Sequence, residues 1–154
     1  MLDVRKKRAL VRVGSLPPQD LLMLLQIACL LGRFMMMRQV CSLPGLVRQF
    51  DAKPAVRRVT DARVPRLVGL THALVCRMYG RKRCLPRSLV LFRFLRRWGY
   101  PVSLHIGMAP SKGAFAGHAW LELQGVPFAE RSDPREVYKT MYAYPAPDVC
   151  VPRT

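Results

Sequence analysis

The spacing of apolar residues changes once along this chain, at Gly99, and that change limits what it can fold into. Before it, in "RKRCLPRSLVLFRFLRRWG", Leu85, Leu89, Phe92 and Leu95 recur at intervals of 4, 3 and 3, while Arg87, Arg93, Arg96 and Arg97 fall elsewhere. That is the stripe of an amphipathic helix, with Pro86 in its first turn and Gly99 at its C-terminal end. After Gly99 the period drops to two. "PVSLHIGM" alternates as a strand, "APSKGAFAG" reads as a loop, and "HAWLEL-QG-VPFAE" reads as a hairpin. Helices followed by strands predict an α+β fold, with N-terminal helices packed on a small antiparallel sheet.

The rest of the chain fits that order. Residues 1–14 read as a basic tail. "SLPPQD" opens a helix from about Gln19 to Gln39, with Asp20 near its positive end; "CSLPG" breaks it. Residues 45–62 read as a loop with a short helix. Pro65 opens a further helix to Tyr79, with Leu67, Leu70, Leu74 and Val75 on one side and Gly80 ending it. At 154 residues a single domain is expected: residues 1–80 helical, 81–131 a helix plus hairpin core, and 132–154 a C-terminal cover of strand or irregular structure. "MLDVRKKRALVRVG" followed by "LLMLLQIACLLG" mimics a signal peptide, but no A-x-A site follows. Gln26 and Arg33 interrupt Leu21–Met37, so it reads as a buried helix rather than a membrane span. A cytoplasmic protein is expected, with contact at a membrane surface left open.

Charge narrows the partners. There are 26 Lys+Arg against 9 Asp+Glu, a net +17, and Ala62–Leu121 holds eleven basic residues and no acid. Such a field draws nucleic acid, anionic membrane or acidic peptide; a solvated basic surface is the plain alternative. Aromatic residues do not alternate with the basic ones as stacking platforms would, which argues against nucleic acid. Five cysteines (Cys29, Cys41, Cys76, Cys84 and Cys150) contain no C-x-x-C pair and, with three histidines, match no zinc spacing. Reduced thiols, no metal and no cofactor are expected.

One cysteine stands apart. Cys84 lies where the clearest helix begins, beside unpaired N–H groups and the positive end of the helix dipole. Both favour thiolate, as do Arg81, Lys82, Arg83 and Arg87 nearby, and the same N–H groups are candidate oxyanion donors. A thiolate nucleophile needs a partner that handles the proton. His72 falls in an apolar helix and His105 inside a strand, whereas His118 opens the hairpin. A third group should orient the imidazole. A two-residue Gln124-Gly125 turn would pair Leu123 with Val126 and set Arg131 opposite His118. A three-residue loop, with Gly125 in a left-handed bulge, would pair Glu122 with Val126 and set Glu130 there. Gln-Gly is a poor type I′ turn, so the second register is expected, giving Cys84, His118 and Glu130 as a triad. Trp120 and Glu122 follow His118 at period two. They are candidates to shield and support the site, or simply a core aromatic and a hairpin-edge acid.

Taken in order, "RCLPRSLVLFRFLRRWGYPVSLHIGM…GHAWLEL-QG-VPF" resembles the transglutaminase-like leader peptidases of lasso-peptide biosynthesis, in the form where the peptidase is one half of a split protein. The resemblance is specific over Arg81–Glu130 and loose over 16–80. It implies a papain-like cysteine protease fold, Cys84 as nucleophile and His118 as general base. The family's third member is an aspartate twelve residues after the histidine; here that position is Glu130, with Asp133 as fallback. It further implies cleavage of a ribosomal precursor peptide between leader and core, before an asparagine-synthetase-like cyclase closes the core. Leader recognition would belong to a winged-helix protein acting in trans, since residues 1–80 show no such pattern. Arg81, Arg83 and Arg87 are candidates to bind substrate. A transglutaminase-like scaffold without activity and a basic nucleic-acid-binding module are the alternative readings.

Overall fold

The computed structural model describes residues 17–53, 62–80, 84–111 and 114–145. Four helices come first: α1 (Pro18–Met37), α2 (Leu43–Phe50), α3 (Arg63–Tyr79) and α4 (Cys84–Arg97). Strands β1 (Val102–Ser111), β2 (Ala114–Leu123), β3 (Val126–Phe128) and β4 (Lys139–Tyr144) follow, with one 3₁₀ turn at Pro134–Glu136. The strands form one antiparallel sheet in the order β3-β2-β1-β4. The helices-then-strands expectation therefore holds as an α+β fold.

The helix α4 is the central element. Beyond the predicted stripe it also buries Val90, Leu91 and Phe94, because it packs against α1, α2 and α3 on one side and β1 and β2 on the other. A helix enclosed on all sides needs apolar residues around its whole circumference. Its end is a Schellman motif: Gly99 has φ +81°, its N–H reaches the Arg96 carbonyl, and the Tyr100 N–H reaches that of Leu95. Facing α4, Val102, Leu104 and Leu121 close the apolar layer between helices and sheet. Asp51, just past α2, ties that layer together. It accepts from Arg96 Nε at 3.0 Å and Tyr144 Oη at 2.9 Å.

The helix α1 corrects one expectation. It buries a stripe of Met23, Ile27, Leu31 and Phe34, and Asp20 accepts from Arg66 of α3. Leu21, Leu22, Leu25 and Met36 remain exposed. One face of α1 is therefore core and the other is open, and by length and composition the helix is apolar enough to cross a membrane.

Two strand expectations are also corrected. "APSKGAFAG" is mostly strand, since Ala109, Pro110 and Ser111 pair with Ala116, Phe115 and Ala114. Pro110 is tolerated there because β4 pairs with β1 only as far as Met108, so its missing N–H faces no neighbour. The β2–β3 hairpin uses the two-residue turn: Leu123 pairs with Val126, and Gln124 and Gly125 both have positive φ (53° and 78°). The expected bulge register is not adopted. Pairing stops at Phe128, and Ala129 (φ 57°) turns the chain away. Because β3 and β4 occupy opposite edges, residues 129–138 cross the outer face of the sheet to connect them.

Candidate active site

Cys84 is the first residue of α4, and the helix start is held against β2 by Ser88, whose buried hydroxyl donates to the Ala119 carbonyl at 2.9 Å. That tether sets α4 beside the residue following His118. The side chains of Cys84 and His118 are hydrogen-bonded to one another. His118 Nε2 lies 3.3 Å from Glu130 Oε2. The three residues line one cavity of about 660 Å³, together with Arg87, Tyr138 and His72.

Glu130 reaches His118 by a route other than the expected register. In the observed pairing Arg131 would face His118 if β3 continued; the left-handed turn at Ala129 breaks the ladder first and brings the carboxylate round. Arg87 then holds that bend, donating from Nη1 to Glu130 Oε1 at 3.1 Å and from Nη2 to the Ala129 carbonyl. Both partners of this ion pair are largely buried, with side-chain exposures of 16% and 14%. Arg87, a candidate for substrate binding, is thus already engaged within the protein. Asp133, the fallback acid, is bound to Arg135 through its backbone N–H and guanidinium. Arg81 and Arg83 lie outside the described residues, as does Cys150.

The electrostatics follow from these contacts. Burial is the largest influence on the Cys84 thiol and pushes its pKa up. The hydrogen bond from His118, backbone N–H groups of Ala119 and Leu85, and the imidazolium charge together outweigh it, and the pKa ends below its ordinary value. His118 is pushed up to about 9, first by its hydrogen bond to Cys84, then by Glu130, against the opposing effect of burial. A thiol that drops while its imidazole rises is the pattern of a thiolate–imidazolium pair.

Trp120 is fully buried with its indole near-parallel to the His118 ring, the centroids 6.1 Å apart. Glu122 accepts from the indole Nε1 at 3.1 Å. Two further residues line the cavity: Tyr138, which no sequence pattern singled out, and His72, which the sequence set aside as part of an apolar helix. Tyr138 sets its ring 5.1 Å from that of His118; it sits in a connection with no periodicity to flag it. His72 of α3 contacts Cys76 at 3.4 Å and reaches the cavity wall. No group of three metal-ligating side chains occurs among the described residues. A second cavity, of about 380 Å³ between α1 and α4, is lined by Leu25, Leu30, Phe94 and three arginines, with neither acid nor imidazole.

No curated protein and no solved structure gave a match to this chain. The family model of the transglutaminase-like superfamily matches residues 21–143, which takes in α1 through most of β4 and every member of the Cys84–His118–Glu130 group. The superfamily includes cysteine proteases, and with a match over most of its length the chain belongs to the transglutaminase-like superfamily.

Proposed function

We propose that this protein is a cysteine endopeptidase that removes the leader from a ribosomally made lasso-peptide precursor. The observation that carries the chemistry is the Cys84–His118–Glu130 alignment at the mouth of α4. The ordered motif over Arg81–Glu130 supports the substrate class.

Glu130 occupies Nε2 of His118, which leaves Nδ1 to serve the sulfur. The Cys84 thiolate attacks the scissile carbonyl carbon. The C–O π pair moves to oxygen, and N–H groups at the start of α4 offer donors to that oxyanion. The imidazolium of His118 then gives its proton to the leaving amine as the C–N bond breaks, releasing the core peptide. Neutral His118 next takes a proton from water, whose oxygen attacks the thioester carbonyl. The C–S bond then breaks, its electron pair returning to Cys84 as thiolate, and the leader leaves as a carboxylic acid that ionises. Glu130, anchored by Arg87, holds the imidazole plane and stabilises its charged form.

Under this reading the precursor reaches the cavity with a winged-helix leader-binding protein in trans, and an asparagine-synthetase-like cyclase uses the freed core. The setting is cytoplasmic; the exposed apolar side of α1 and the basic surface suit contact with an anionic membrane surface. The test is incubation of the cognate precursor with this chain and its leader-binding partner, read by peptide mass. Wild type should release the leader, whereas folded Cys84→Ala and His118→Ala should not. Cleavage by Cys84→Ala would remove Cys84 as nucleophile. A wild-type chain that never cleaves, with its partner present, would favour an assembly scaffold instead.

A further inference from the structure

The outer face of the sheet buries a carboxylate that the proposed chemistry does not use. On β1, Ser103, His105 and Gly107 share that face; opposite them on β2 lie Glu122, Trp120 and His118. Trp120 stands apart from the apolar core between sheet and helices. Its indole lies between two imidazoles, His105 at 5.7 Å and 20° and His118 at 6.1 Å and 13°. Glu122 Oε1 accepts from the indole Nε1, while Oε2 sits 3.5 Å from His105 Nε2. The same nitrogen is 2.9 Å from Ser103 Oγ. Gly107 completes the seat. A Cβ there would come within 2.9 Å of two carbons of the indole and 2.8 Å of the Lys139 carbonyl, so only glycine lets the ring lie against β1.

A tryptophan that merely filled space would not need a carboxylate taken out of water, which is costly unless its hydrogen bonds are made. Glu122 fixes the one polar point of the indole, the strand fixes its flat side, and the ring plane that results is the surface against which His118 rests. We infer that Glu122 is a positioning residue for His118, acting through Trp120 as an acceptor that fixes the indole. The inference rests on the Cys84–His118 pair proposed above. The groups facing each member are Cys84 from α4 and Glu130 and Tyr138 from the 129–138 crossing for His118, and His105 and Arg135 for Glu122.

The readout is the rate at which iodoacetamide alkylates Cys84 in the full chain, mapped by peptide mass, from about pH 5 to about pH 9. Glu122→Leu should slow alkylation about tenfold on the acid side and move the profile upward, because the indole N–H loses its acceptor. Glu122→Gln keeps a carbonyl oxygen for that N–H and should stay within about twofold of wild type. Trp120→Phe should resemble Glu122→Leu, and combining the two should add nothing further. If Glu122→Leu does not fold by circular dichroism, Trp120→Phe decides alone: a slowed, shifted profile supports the role. Folded variants that keep the wild-type profile would overturn it, as would equal losses in Glu122→Gln and Glu122→Leu. A wild-type Cys84 that titrates as an ordinary thiol would instead strike at the ion pair itself, and so at the proposed function.

Discussion

Two histidines flank one indole, and each faces a glutamate at nearly the same distance. His118 Nε2 is 3.3 Å from Glu130, and His105 Nε2 is 3.5 Å from Glu122. Their side chains are similarly shielded, at 23% and 14% exposure. Yet His118 is pushed up to about 9 and His105 is lowered. For His105, burial is the leading influence; the Glu122 charge opposes it and the Arg135 charge reinforces it. For His118, the leading influence is the hydrogen bond to Cys84, with Glu130 second. A histidine–glutamate pair is therefore not in itself the mark of a catalytic site. What separates the two is the thiol at the start of α4, which gives one imidazole a proton to hold.

The largest expected effect follows from that difference. His118→Gln should lower precursor cleavage about a thousandfold or more, since His118 is the imidazole hydrogen-bonded to the Cys84 thiol. His105→Gln should lower it by less than about tenfold, acting only through the ring stack. Comparable losses in steady-state cleavage assays would erase the distinction between the two histidines. Next in size is Glu130→Gln, which keeps the shape but not the charge and should cost about a hundredfold. Arg87→Met should cost about tenfold by loosening the Ala129 bend. Because Arg87 acts through Glu130, kcat should fall with little change in KM, and the double variant should be no slower than Glu130→Gln. A raised KM with kcat unchanged would return Arg87 to the substrate-binding role.

The residues of this site were legible because each rested on a local pattern. Cys84 followed from Pro86 and the α4 stripe, and His118 from the onset of alternation. The path to Glu130 was not legible. A bulge at Gly125 looked better than a Gln-Gly type I′ turn, yet Gln124 accepts positive φ, at a modest cost that strand pairing offsets. The second left-handed residue, Ala129, has no compositional signal at all; only Arg87, 42 residues earlier, explains why the chain turns there. The 129–138 crossing was hidden for a related reason. It has no period, and its course is dictated by β3 and β4 lying at opposite edges, which is a property of the sheet. Likewise the outer face of α1 and its inner stripe are both apolar, so periodicity separates them poorly.

The smallest effect sharpens the comparison through stability. Taken alone, His118 with its raised pKa contributes stability that is fully present below about pH 6.5 and lost as pH rises toward about 9. Cys84, lowered from 9.0, taken alone contributes stability present above that value and lost as pH falls. The unfolded pair holds one proton between these limits, on sulfur, and the folded pair also holds one, on nitrogen. The two slopes cancel, so the pair leaves little trace in stability between about pH 6.5 and about pH 9. Cys84→Ala removes one side of the balance. Chemical unfolding of that variant should show stability declining as pH rises above 6.5, for as long as Glu130 keeps His118 above its unfolded value. His105 leans the other way: with a lowered pKa it costs stability as pH falls below 6.5. His105→Gln should therefore flatten the acid limb of the wild-type curve and leave its alkaline limb unchanged. A Cys84→Ala variant with no new slope would mean that Glu130 alone does not hold His118 above its unfolded value, and that the thiolate is what raises it.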